Sequence, residues 1–165
     1  MRLPTSAAVL MLVAALAGCG SIKPSGSPGT TPNEAGVVAP ASLESEQQRL
    51  SALFRGTPVV FQMQDEGILR VTVPLRFSFD KGRHAVKPPL GAVLERIAKS
   101  QHRTTTRVHV AAPADPNTKG LMLATERATS VRDYMVAHGV GATRFSVSAL
   151  GSGDTVVIEV ADAAH

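Results

Sequence analysis

The chain has 165 residues, with 17 Lys+Arg against 13 Asp+Glu, 44% hydrophobic residues and a single cysteine. That length accommodates one domain with extensions, not two full domains. A formal charge of +4 without any dense basic run argues against nucleic acid as a partner, and one cysteine rules out a disulfide framework.

Residues 7–16 form a continuous apolar run behind Arg2. Ten residues are too few to span a bilayer, and the arrangement is that of a signal peptide over residues 1–18. The run ends in Leu16-Ala17-Gly18-Cys19 and passes into a Gly/Ser/Pro tract. This junction resembles the bacterial lipoprotein signal, in which the cysteine becomes lipidated and N-terminal. The alternative is an ordinary signal peptide with an incidental cysteine. A lone thiol suits an oxidising compartment poorly, whereas a thioether to lipid removes it. Gly20 rather than Asp after Cys19 resembles lipoproteins sorted to the outer membrane, which implies a lipid-anchored domain in the periplasm. Without residues 1–18, which hold Arg2 and no acid, 16 basic residues face 13 acidic ones, a mild +3. That charge suits an anionic polymer and ordinary solubility equally.

Residues 20–41 contain no apolar periodicity and many Gly, Ser, Pro and Thr, and so read as a flexible tether. Extended, they reach roughly 70 Å at about 3.3 Å per residue. A short amphipathic helix is predicted over residues 42–56, with Ser42 as its cap and Leu43, Leu50, Leu53 and Phe54 near one face. A folded domain follows over residues 57–162. It opens with a hairpin, 59–64 and 68–74, around a turn at Asp65-Glu66-Gly67. Residues 75–79 continue it as an extended segment with Leu75, Phe77 and Phe79 on one face, and Asp80-Lys81-Gly82 break it.

Pro88-Pro89 then start a helix whose Leu90, Val93, Leu94, Ile97 and Ala98 make one helical stripe. A strand is expected at 107–111, with Val108 and Val110 inward and His109 outward. A second long helix runs from about 119 to 138 with Leu121, Ala124, Ala128, Val131 and Met135 inward, and Gly139 ends it. Strands at 144–149 and 155–160 flank a turn at Gly151 and Gly153. The order β-α-β-α-β-β predicts an α+β fold, a sheet with two helices on one face.

Four pieces of this pattern resemble the OmpA-like C-terminal domain family. They are Phe77-Ser-Phe79-Asp80 with Val86-Lys87-Pro88; Val108-His-Val110; Leu123-Ala-Thr-Glu-Arg127-Ala128-Thr-Ser-Val131-Arg-Asp-Tyr134-Met; and Gly139-Val-Gly-Ala-x-Arg144-Phe-Ser-Val with Gly151-x-Gly153. The resemblance spans about residues 68–160, and the helix motif is its specific part. It implies non-covalent binding of peptidoglycan, with an aspartate after the second strand and the arginine of Arg-Ala holding the diaminopimelate of the stem peptide. Those positions are Asp115 and Arg127 here. The chemistry suits them, since Arg takes a carboxylate through parallel hydrogen bonds and Asp takes an ammonium. The implied whole is an outer-membrane lipoprotein, anchored through lipid on Cys19, that tethers membrane to wall.

The alternative assignments are equally concrete. Arg127 can be a solvated helix residue paired with Glu126, Asp133 or Asp115, and Asp115 a turn acid in Ala-Asp-Pro-Asn. Ala112-Pro113-Ala114-Asp115 replaces the family's Gly-x-Thr-Asp, and the loop to Arg127 is shortened. A domain that kept the fold and lost the ligand would serve as a structural, protein-interaction module of an envelope assembly. Neither an enzyme nor a cofactor is expected. The five histidines lack zinc-site spacing, so no metal is predicted, and no serine sits in a nucleophile elbow.

Overall fold

The computed structural model describes residues 42–116, 120–150 and 153–163. The predicted signal segment, Cys19 and the tether lie outside the described residues, as do Lys119, Gly151 and Ser152. Ser42 caps helix α1 (Leu43–Leu53) by accepting the N–H of Ser45, and Glu44 and Glu46 sit in its first turn, where the helix dipole favours acids. Leu43 and Leu50 are buried, but Leu53 is half exposed rather than on the inward face. The helix packs on the domain instead of extending the tether. Leu43 and Leu50 join the main core, the Gln47 amide donates to the Phe61 carbonyl at 2.8 Å, and the Phe54 and Phe61 rings lie 5.5 Å apart.

Strands β1 (Val60–Met63) and β2 (Leu69–Pro74) pair antiparallel around the expected turn. Leu69, Val71 and Val73 point into the core, and Arg70 and Thr72 to the opposite face. The chain then departs from the extended path predicted for 75–79. Leu75–Ser78 is a single helical turn, α2, in which the Phe79 N–H donates to the Leu75 carbonyl at 3.0 Å. The reason is the partner strand. The pairing of β2 ends at Pro74 opposite Thr155, and the Leu75 N–H closes it by donating to the Asp154 carbonyl at 2.6 Å. Beyond that point the described residues offer no partner strand, so the backbone satisfies itself locally. Leu75 and Phe79, four residues apart, are buried together, and Phe77 falls outside them under the Arg76 guanidinium.

Helix α3 (Pro88–Gln101) carries the predicted stripe, and Leu90, Val93, Leu94, Ile97 and Ala98 are all fully buried. Burying each of the larger side chains contributes about 1.5–3 kcal/mol. Strand β3 (Arg107–Pro113) runs two residues further than expected, and α4 (Leu121–Ala137) follows. Ala124, Ala128, Val131 and Met135 face the core, whereas Leu121 is exposed at the helix start. At the other end of α4, Gly139 has φ +92°, and the Val140 N–H reaches back to the Met135 carbonyl, the Schellman closure. Strands β4 (Phe145–Leu150) and β5 (Thr155–Ala161) complete the domain.

The sheet order is β1-β2-β5-β3-β4, antiparallel throughout except for β3–β4, which are parallel and joined by the α4 crossover. One core unites the inner face of the sheet with α1, α3 and α4. Across the outer face one polar residue from each strand falls in register: Gln62, Arg70, Glu159, His109 and Ser146. Arg70 and Glu159 are ion-paired at 2.7 Å, and a His109 ring nitrogen lies 2.8 Å from the Ser146 hydroxyl.

Candidate functional site

Two chain segments leave the sheet at one end and meet there. The first runs from α2 through residues 79–87 into α3; the second runs from the end of β3 into α4. Residues 80–83 form a tight turn in which the Arg83 N–H donates to the Asp80 carbonyl at 3.0 Å. Gly82 has φ +66°, a conformation that a type II turn requires at this position and that glycine adopts without strain.

Arg127 comes up from α4 beneath this turn. Its Nε donates to the Arg83 carbonyl at 2.9 Å, Nη1 to the Pro113 carbonyl at 3.0 Å, and Nη2 to the Asp80 carbonyl at 3.2 Å. Nη2 also meets Asp115 Oδ1 at 2.5 Å, and the guanidinium lies 5.2 Å from the centre of the Phe79 ring. The other oxygen of Asp115 accepts the Gly82 N–H at 2.6 Å. Arg127 is 0% exposed and the Asp115 side chain 10%. Desolvation pushes the Asp115 carboxyl up, but the Arg127 and Gly82 hydrogen bonds, with the charges of Arg127 and Lys81, outweigh it and hold the pKa below the ordinary aspartate value.

The two residues singled out in the sequence are therefore in direct contact, and not as solvated surface groups. Asp115 lines an open cleft of about 630 Å³, whereas Arg127 is buried behind it and is not part of its lining. Leu75 and Phe79 give this cleft apolar walls, and Arg76, Lys81, Lys87 and Asp154 charge its rim. Lys87 is engaged there, with Nζ 2.9 Å from Asp80 Oδ1 and 3.1 Å from the Arg76 carbonyl. Sequence reasoning missed Lys81, Gly82 and Asp154. Residues 80–82 announced a turn, but nothing local said that the turn would close over Asp115. The burial of Arg127 did have a signal, since it lies three residues after Ala124 and four before Val131, within the apolar stripe of α4.

A second polar cluster, Arg144 with Gln101, Thr104 and Thr106, satisfies itself and joins the end of α3 to the start of β4. Among the described residues no three His, Cys, Asp or Glu side chains converge as a metal site would need.

Residues 78–165, more than half of the chain, match the OmpA family. The chain belongs to the OmpA family. Among solved structures, the periplasmic domain of Helicobacter pylori MotB is 20% identical, with TM-score 0.56 over 66% of this chain and 82% of that one. The cell wall anchor of the T6SS from Pseudomonas aeruginosa is 18% identical, with TM-score 0.57 over 74% of this chain and 98% of that one. A MotB-like protein from Desulfovibrio vulgaris reaches TM-score 0.59 at 12% identity, over 73% and 92% of the two chains. At these identities the likeness establishes a shared OmpA-like fold. No curated protein matches the chain. In this OmpA-family domain α3, β3, α4, β4 and β5 fall within the matched span, while α1, β1 and β2 precede it.

Proposed function

We propose that this OmpA-like domain binds peptidoglycan non-covalently, through the diaminopimelate of the stem peptide, and that Cys19 carries the lipid that holds it to the outer membrane. The observation that carries the reading is the Asp115–Arg127 contact at the wall of an open cleft, formed by the two positions that family resemblance assigns to the ligand. One structural neighbour is described as a cell wall anchor, which is consistent with a role in holding the wall. The cleft has apolar walls and charges of both signs on its rim, which suits a peptide ending in a zwitterion. The role is one of binding and tethering, not catalysis.

The test is co-sedimentation of the detergent-solubilised protein with purified sacculi, with and without free meso-diaminopimelate. The expected result is pelleting that the free amino acid competes away. Failure of the protein to pellet would overturn the reading.

One observation favours a second reading. Arg127 is wholly buried, and its donors are taken up by main-chain carbonyls and Asp115. A domain whose ligand pair has closed on itself would act as a protein-interaction module in the envelope. In that case sacculi leave the protein in solution, and cross-linking in the periplasm captures protein partners instead.

A further inference from the structure

The two edges of the sheet, β1 and β4, are built differently. An edge strand presents a row of unpaired backbone N–H and C=O groups, and proteins guard it with shortness, charge or proline. Strand β1 has four residues, with Pro58 just before it. Strand β4 has six, Phe145-Ser-Val-Ser-Ala-Leu150, with no charge, no proline and no glycine. Among the described residues β4 pairs only with β3, so its far edge carries none of those guards.

The side chains of β4 leave that edge clear. On the outer face Ser146 and Ser148 both turn to His109 of β3, whose two ring nitrogens lie 2.8 and 3.1 Å from their hydroxyls. On the inner face Phe145 and Val147 pack against the core yet are only partly buried, as is Ala149. Arg144, which precedes the strand, is folded back onto the carbonyls of Thr106 and Gln101.

The strand is also complementary to itself. Two copies laid antiparallel about Val147 set Val147 opposite Val147, Phe145 opposite Ala149 and Ser146 opposite Ser148, each pair on a common face. A ring meets a methyl group, valine meets valine, hydroxyl meets hydroxyl, and no like charges meet. A shift of one residue would set the apolar face of one copy against the serine face of the other. A shift of two would set Ser146 opposite Leu150. The alternation therefore selects one register.

We propose that this protein forms a two-fold dimer in which β4 pairs antiparallel with β4 of a second copy, joining two five-stranded sheets into one continuous sheet. Such an interface uses the same surface on both chains and closes on itself. Asp115 follows β3, and β3 and β4 run parallel, so antiparallel joining puts the two clefts at opposite ends of the combined sheet. The pairing does not depend on what the cleft binds.

The test is sedimentation velocity, without sacculi, of the full chain carrying Cys19→Ser, which leaves no other thiol. The expected result is twice the monomer mass. In that background Val147→Cys should oxidise to a disulfide-linked dimer, because the two copies of this position face each other across the axis. Ala149→Cys, opposite Phe145, should not. Ser146→Lys combined with Ser148→Lys should give monomers, since each ammonium opposes another. Ser146→Lys combined with Ser148→Glu should restore the dimer, since each charge then opposes its counter-ion. Both double variants lose the same contacts to His109, so a defect in the fold alone would affect them alike. A wild type that stays monomeric at every concentration would overturn the inference. So would equal masses for the two double variants, or equal cross-linking of Val147→Cys and Ala149→Cys, because either result removes β4 pairing in this register.

Discussion

Asp115 is poised between two opposing effects, since burial disfavours its charge while Arg127, Gly82 and Lys81 favour it, and the second group wins. A carboxylate whose pKa is lower in the folded state contributes stability that is fully present above its unfolded value, about 3.9, and is lost as pH falls through the folded value. Urea denaturation between pH 7 and pH 3 should therefore show a loss of stability that begins near pH 4. Asp115→Asn should start less stable at pH 7 and fall less steeply over that range, and parallel curves for the two proteins would count against this account. Both residues of the pair were legible in the sequence by chemical type and motif. Their contact was not, because a helix arginine has several acids within reach along the chain. Arg127 sits on the apolar stripe of α4, and there its guanidinium finds carbonyls of the 80–83 turn that no local pattern could have supplied.

At the scale of elements, α3 was legible residue by residue because two prolines mark its start and its stripe fits one period only. Leu75 to Phe79 was not. Leu, Phe and Phe at every second position satisfy a strand, while Leu75 and Phe79 alone satisfy a helical turn, and so short a segment cannot distinguish the two periods. The end of the β5 partner at Thr155 made the choice. The C-terminus of α4 shows the opposite case, where a local signal was sufficient. Gly139 was read as the stop, and its φ of +92° closes the helix. Alanine there takes on a left-handed conformation costing about 1–2 kcal/mol. Its Cβ would also fall 2.5 Å from the His102 ring. Gly139→Ala should thus lower the urea midpoint, and adding His102→Ala should restore only part of it. Full restoration would mean that crowding alone, and not backbone conformation, sets the cost.

For the whole molecule, α1 ties the start of the described chain to the sheet, so a pull on the preceding segment acts on the folded domain directly. If Cys19 bears the anchor, Cys19→Ser should move the protein from the membrane fraction to the soluble periplasm and abolish palmitate labelling; label retained in that variant would sink the anchor. A different consequence follows from the line of Gln62, Arg70, Glu159, His109 and Ser146 across the outer face. In a sheet with one covered side, slipping any strand by a single residue turns all its side chains over. For β2 that would put Arg70 under the helices and leave Leu69, Val71 and Val73 in water; for β5 it would bury Glu159. The line is an alignment key. It makes every neighbouring misalignment a charged or polar group in oil, and so steers a newly made chain toward a single way of zipping its strands.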